Sequence, residues 1–336
     1  MSDPKADRIG VYLAGFLEEF LFDELSQDYL KKVEMQEILS GIPVPVRKTA
    51  MRELTNLKIA QNMAFVMGCD INFTYRDNYL AYIFRSFGKD FVGPWLQEGV
   101  DRAAEGKFLA ACVHFRAALL MAPDNTDALY CYGRACRDAY EHAEDPDAEF
   151  VGRFKAESLE AFERLTINKP EFANGFYFLG YGYLNLGLYV KARLTFQEFL
   201  RLVEEEGVPL DQELDAMRKE VEEWVTKLEE PVKIEAGYND ILAGRCEEGI
   251  AILEPYREDA RFNGWWPLWY YLGIAYGILE AQDQAKEAFL QVLQLSPSNL
   301  DAMEELVKLY QAEGDQEKQD KYQKKIDLIR SQMEQA

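Results

Sequence analysis

The chain is short of the residues that carry most enzymatic and metal chemistry. Its 336 residues include two histidines, His114 and His142, and five cysteines. The cysteines are Cys69, Cys112, Cys131, Cys136 and Cys246, and no two of them form a C-x-x-C pair. That spacing supplies neither a zinc site nor a disulfide framework, so the expectation is no metal and buried, reduced thiols. No stretch approaches the roughly 18 consecutive apolar residues of a membrane span. The opening M-S-D-P-K-A-D-R holds no apolar run with a cleavage site, which points to a cytoplasmic protein without membrane insertion. Asn72-Phe73-Thr74 is a chance sequon on that reading.

Phosphate-binding loops are missing as well. No G-x-x-x-x-G-K-[ST] occurs, and Asn185 stands where Gly180-x-Gly182 would need its third glycine for a dinucleotide fingerprint. Acidic pairs are numerous among 59 Asp and Glu residues, but none stands out as an acid/base couple. The expectation is a protein that is not an enzyme and needs no cofactor. Positive charge is scarce too, with 37 Lys and Arg and a net charge of -22. Residues 1–91 hold 11 basic and 13 acidic side chains, so nearly all the excess lies beyond them. Residues 204–230 alone carry 11 acidic and 3 basic. Nucleic acid and anionic membranes are therefore poor partners.

What is abundant is apolar and aromatic: 48% and 13% of the chain. In the stretch 265–299, Trp269, Leu272, Gly273, Tyr276, Ala285, Phe289 and Pro297 fall at the spacing W-x2-L-G-x2-Y…A-x3-F…P. Trp269, Leu272 and Tyr276 share one helix face, and Gly273 on that face leaves room for a neighbouring helix. Pro297 ends the second helix. This resembles the tetratricopeptide repeat, a helix–turn–helix unit of about 34 residues. One such pair cannot bury its own apolar faces, whereas stacked copies can.

The pattern recurs from Val92 onward. Trp95, Gly99, Gly106, Phe115 and Pro123 fit it, although Glu98 and Arg102 replace the expected Leu and Tyr. Gly133, Phe162 and Pro170 mark a second unit with about 13 extra residues, assigned to a longer turn around 141–149. Gly180, Tyr183, Gly187 and Phe196 mark a third. Gly207-Val208-Pro209 is then expected to break the chain. An extra helix over 210–230 follows, with a stripe of Leu214, Met217, Val221, Trp224 and Leu228. Gly237, Gly244 and Leu253 form a degenerate unit, with Leu253 standing in for Phe. Met303, Leu306, Tyr310 and Gly314 open a last one, whose polar second helix suits a terminal cap.

Residues 1–91 show no repeat. The spacing predicts about four helices: one through Ile9–Leu21 capped by Asp3 or Asp7, and one over 28–39. After Gly41-Ile42-Pro43-Val44-Pro45, with its extended bias, come a third from Met51 through Leu54 and Val66, closing at Gly68, and a fourth over 79–87. The expected architecture is all-α: an N-terminal helical unit over 1–91, then a right-handed superhelical α-solenoid over 92–336. That array would hold about six helix pairs, with insertions near 140–152 and 207–230.

The resemblance implies a task as well. In that family the first helix of each pair lines a concave groove. Carried over, the rule places Tyr130, Arg134 and Arg137 there, then Tyr177 and Tyr181, then Tyr238 and Tyr270. Such a groove suits a protein or peptide partner carrying an acidic and an apolar residue, since Arg grips carboxylates and Tyr offers rigid apolar area. Alternatively the arginines pair with the acidic residues of 141–149. The Lys/Asn clamp that some co-chaperones use for a terminal carboxylate is not recovered. A non-catalytic scaffold or adaptor is the leading expectation. A dedicated chaperone holding a client segment comes next, and a regulatory subunit of an enzyme last.

Overall fold

A computed structural model describes residues 7–50, 55–145, 149–205 and 212–333. Among the described residues the regular structure is helical apart from one two-stranded ribbon. The chain divides into two compact units, Met1–Leu186 with Leu194–Arg218, and Gly187–Arg193 with Lys219–Ala336.

The first unit opens on α1 (Gly10–Leu13), whose Gly10 N–H donates to the Asp7 carboxylate at 2.8 Å. Asp3, the other candidate cap, lies outside the described residues. The long helix expected over 9–21 is not formed. A 3-10 segment covers Ala14–Glu19, and Phe20–Glu24 is strand β1. It pairs antiparallel with β2 (Pro43–Arg47), Phe20 opposite Arg47 and Phe22 opposite Pro45. Prolines keep β2 extended, and its backbone groups find partners only on another extended segment, so the tertiary pairing overrides the local helical period. The helix expected over 28–39 is broken into α2 (Gln27–Lys32) and α3 (Gln36–Leu39), with Glu34 between them at φ 57°.

Helix α4 (Asn56–Cys69) starts at a Thr55 cap, and Met51 and Leu54 fall outside the described residues. Gly68 does not close it. It is buried inside the helix, where a side chain would collide with the Val113 backbone of α7 (Phe108–Met121). After α5 (Arg76–Phe87), Gly88 takes a positive φ as the helix ends. Asp7 also meets the buried Arg116 of α7 at 2.5 Å, so both ends of the N-terminal segment are tied to that helix.

Three helix pairs complete this unit. They are α6 (Val92–Ala104) with α7, α8 (Thr126–Glu141) with α9 (Glu149–Asn168), and α10 (Ala173–Asn185) with the latter part of α11 (Tyr189–Glu204). The insertion in the second pair lengthens the helices as well as the turn. Helices α8 and α9 have 16 and 20 residues, against 13 and 14 in α15 (Trp266–Ile278) and α16 (Gln282–Leu295). Residues 146–148 of that turn lie outside the described residues, as does the Gly207-Val208-Pro209 break.

Helix α12 (Gln212–Lys227) carries the expected stripe. Val221 and the following Leu228 are buried, and Leu214, Met217 and Trp224 are half-buried. The second unit then holds α13 (Glu229–Leu242) with α14 (Cys246–Leu253), α15 with α16, and α17 (Leu300–Glu313) with α18 (Gln316–Met333).

One contact repeats through five pairs. A Cβ added to Gly99 would lie 2.6 Å from the Phe115 ring, and one on Gly133 2.8 Å from Phe162. On Gly180 it would collide with Phe196, and on Gly273 it would lie 2.8 Å from Phe289. In the degenerate pair Gly237 meets Leu253 at 2.8 Å, so the leucine takes the ring's place. In four of these pairs the chain turns with positive φ seven residues after the contact glycine, at Gly106, Gly187, Gly244 and Glu280. Only Glu280 does so without glycine, at φ 58°.

Gly273→Ala is expected to destabilise the protein by about 1–3 kcal/mol, because the added carbon would lie 2.8 Å from a buried ring. Gly277→Ala, four residues along the same helix with nothing within 4 Å of the new carbon, is expected to be neutral or stabilising by up to about 1 kcal/mol. Thermal or urea unfolding of the two variants checks the contrast.

Candidate peptide-binding face

The first helix of the second pair and that of the third bring their aromatic and basic residues together. Tyr130 of α8 meets Phe172 and Phe178 edge-on, at ring-centre distances of 5.3 and 5.8 Å. The Arg134 guanidinium lies 5.6 Å from the centre of Tyr130 and 5.4 Å from that of Phe178. One turn further along α8, Arg137 lies 5.3 Å from the same Phe178 ring. Two guanidinium groups thus share one aromatic face. On α10, Tyr177 and Tyr181 pack edge-on at 5.1 Å, and Tyr181 reaches Phe196 at 5.2 Å.

The arginines differ in what else they hold. Arg137 Nε donates to Glu141 at 2.6 Å, so this residue does pair internally. Arg134 is exposed and has no carboxylate partner among the described residues. Next to Arg137 in sequence, and one turn after Arg134 on α8, is half-buried Asp138. Burial pushes its carboxyl above the usual range, against the pull of Arg134 and Arg137.

Beside this cluster a cavity of about 190 Å3 opens between α8, α9 and α10. Its walls include Leu159, Phe162, Phe178 and Tyr181, with Arg137 and Lys155 among its lining residues. The Lys155 ammonium lies 5.6 Å from the centre of Tyr140. An apolar side chain fits such a slot, and the neighbouring cations suit a carboxylate next to it in sequence. Phe178, Tyr140 and Lys155 were not among the residues expected from sequence. The only signal was the run Phe176-Tyr177-Phe178, in which the family rule selects Tyr177.

Tyr238 and Tyr270 belong to the second unit, and there they sit differently. Tyr238 is only 9% exposed. Its ring stacks on Tyr271 at 4.3 Å, with Trp265 at 6.0 Å, and its hydroxyl has no hydrogen-bond partner among the described residues. Burial raises its pKa well above the usual value for tyrosine. Tyr270 is half-buried, edge-on to Tyr271 at 5.7 Å and Phe289 at 5.8 Å, and burial raises its pKa, followed by the nearby Asp301 and Glu305.

What decides the type of helix pair is the repeated approach of a helix glycine to a ring on the partner helix, followed by a left-handed turn seven residues on. The helix pairs are of the tetratricopeptide type. No protein-family model matches the chain and no curated protein does. Solved structures similar to it include MamA, at 14% identity over 73% of this chain and 94% of that one, with a TM-score of 0.27. YrrB, described as a TPR protein with an unusual peptide-binding site, is 17% identical over 67% of this chain and 96% of its own, with a TM-score of 0.31. A tetratricopeptide repeat protein from Parabacteroides merdae is 15% identical over 82% and 93%, with a TM-score of 0.32. At those scores the assignment rests on the tetratricopeptide packing seen within this chain's own pairs. Among the described residues no helix is long and apolar enough to cross a membrane.

Tyr238→Phe removes a buried hydroxyl that bonds to nothing, and such a group costs about 1–3 kcal/mol. The variant is expected to unfold at the same temperature as the parent or higher. A clear fall in melting temperature would show that the hydroxyl is hydrogen-bonded in solution.

Proposed function

We propose that the chain is a non-catalytic scaffold that binds a partner polypeptide on the α8–α10 face of its first unit. The observation that carries this reading is Arg134: an exposed guanidinium, held in place by Tyr130 and Phe178, with no carboxylate within 4 Å among the described residues. A cation whose position is already fixed loses little entropy when it meets an anion, so it favours recognition over a structural role. The apolar slot beside it adds the second half of a signature. The ligand is a peptide segment with an acidic residue set close to a Leu- or Phe-sized one. Tyr177 and Tyr181 extend the contact surface along α10, in the manner of rigid aromatic anchors.

The test is charge reversal. A peptide panel, with and without Asp or Glu beside Leu or Phe, is titrated against the full chain and against the Arg134→Glu/Arg137→Glu double variant. Acidic–apolar peptides are expected to bind the parent and to lose about tenfold or more in affinity to the variant, which corresponds to roughly 1.4 kcal/mol. Circular dichroism and melting temperature should stay near parental values, because neither arginine is buried in the core. Unchanged capture by the charge-reversed protein would refute the reading.

A further inference from the structure

The two residues that break the repeat pattern in the first pair, Glu98 and Arg102, face a cavity, with Glu98 also 3.8 Å from His114 of the partner helix α7. Both line a cavity of about 310 Å3 in the first unit, enclosed by the 14–19 segment, β2, α4, α6 and α7. Its apolar part is aromatic. Phe16 meets Phe65 edge-on at 5.8 Å, and the His114 ring stacks on Trp95 at 4.4 Å and meets Phe65 edge-on at 5.5 Å. The Trp95 indole N–H donates to the His114 carbonyl at 3.1 Å, which fixes that wall.

The polar part reverses the sign of the protein. In a chain of net charge -22, this cavity is lined by Arg47, Lys58, Arg102 and Lys107 against Glu19 and Glu98. Some of these charges are already engaged. Arg102 and Lys107 hold Glu105 at 3.2 and 2.8 Å. Glu98 faces His114 at 3.8 Å and Arg102 at 3.5 Å, and His114 first, then Arg102, keep its carboxyl below the usual range. Arg47 is only loosely paired, with Glu19 at 3.7 Å, and Lys58 is left over. The Arg47 guanidinium is clamped over Phe20 and Phe65, at 5.1 and 5.0 Å from the ring centres. Its Nε is buried without a hydrogen-bond partner, and the Glu19 carboxylate is 3.7 Å away. Lys58 has no carboxylate partner among the described residues. A buried donor with nothing to bond costs about 1–3 kcal/mol, so the free site is short of an acceptor.

We propose that this cavity binds a small organic anion, its carboxylate or phosphate oxygens on Arg47 and Lys58 and its apolar or aromatic body against Phe16, Phe65 and Trp95. Its volume is that of about ten water molecules in the liquid, enough for one ring with an anionic group. Walls converging from five segments make a pit for a compact molecule, in contrast to an open face for an extended peptide. The site is separate from the α8–α10 face, and its occupant adds to stability by binding only the folded state.

The experiment uses the full chain, titrated by calorimetry and followed by thermal shift. The probes are benzoate and phenyl phosphate at millimolar concentration, with inorganic phosphate, benzyl alcohol and benzylamine as controls. At least one aromatic anion is expected to bind and raise the melting temperature, and the stronger of the two identifies the anionic group. Benzyl alcohol and benzylamine are expected to do neither, and inorganic phosphate to bind more weakly. Lys58→Gln, at an exposed position that leaves folding intact, should weaken binding about tenfold, and Arg47→Gln at least as much. Lys32→Gln, on α2 and outside both cavities, should leave it unchanged. The proposal is overturned if neither aromatic anion binds, if a neutral or cationic probe binds equally well, if inorganic phosphate matches phenyl phosphate, or if Lys58→Gln binds as the parent does.

Discussion

A ring resting on bare backbone is the contact on which the helix pairs depend. Phe115, Phe162, Phe196 and Phe289 are each at most 2% exposed, and each lies against a glycine of the helix before it. Glycine in a helix interior costs about 1 kcal/mol against alanine. Burying a phenylalanine contributes about 1.5–3 kcal/mol, so the exchange favours the pair. The approach also sets how closely the two helices lie and which residues turn outward. The Arg134 and Arg137 pair on α8 is presented beside Phe178 because Gly133, their neighbour in sequence, is pressed onto Phe162.

This contact is also why the repeats could be read without coordinates. Glycine and a ring at fixed spacing are strong local signals, and they survive when the rest of the consensus fades. Leu253 shows the tolerance of the position: a branched aliphatic fills the space of a ring against Gly237. The N-terminal segment lacked such a signal. Ile9 to Leu21 has a helical period, yet Phe20–Glu24 is drawn into a ribbon by a partner some 20 residues away that prolines forbid from being helical. Gly68 shows the same ambiguity. A glycine after an apolar run reads as a helix stop, and here it is a point where α4 touches the α7 backbone.

The residues of the proposed binding face were legible only where they lie on a repeat helix. Tyr130 and Tyr238 were both assigned to the groove by the family's spacing, yet one borders an open arginine cluster and the other is covered by Tyr271 and Trp265. The difference lies in what packs alongside, which spacing does not encode. The aromatic cavity was signalled more faintly still. Glu98 and Arg102 were visible as departures from the consensus, but Arg47 and Lys58 come from β2 and α4, outside any repeat.

The most direct measurement is a double-mutant cycle at the pair that shows the contact most plainly. Unfolding free energies are compared for the parent, Gly273→Ala, Phe289→Ala and the two together. If the glycine exists to admit the ring, removing the ring leaves room for the added methyl. The double variant is then more stable than the sum of the single losses by about 1 kcal/mol or more. Strict additivity would mean that the two residues do not depend on each other, and that the pairs are held by something else.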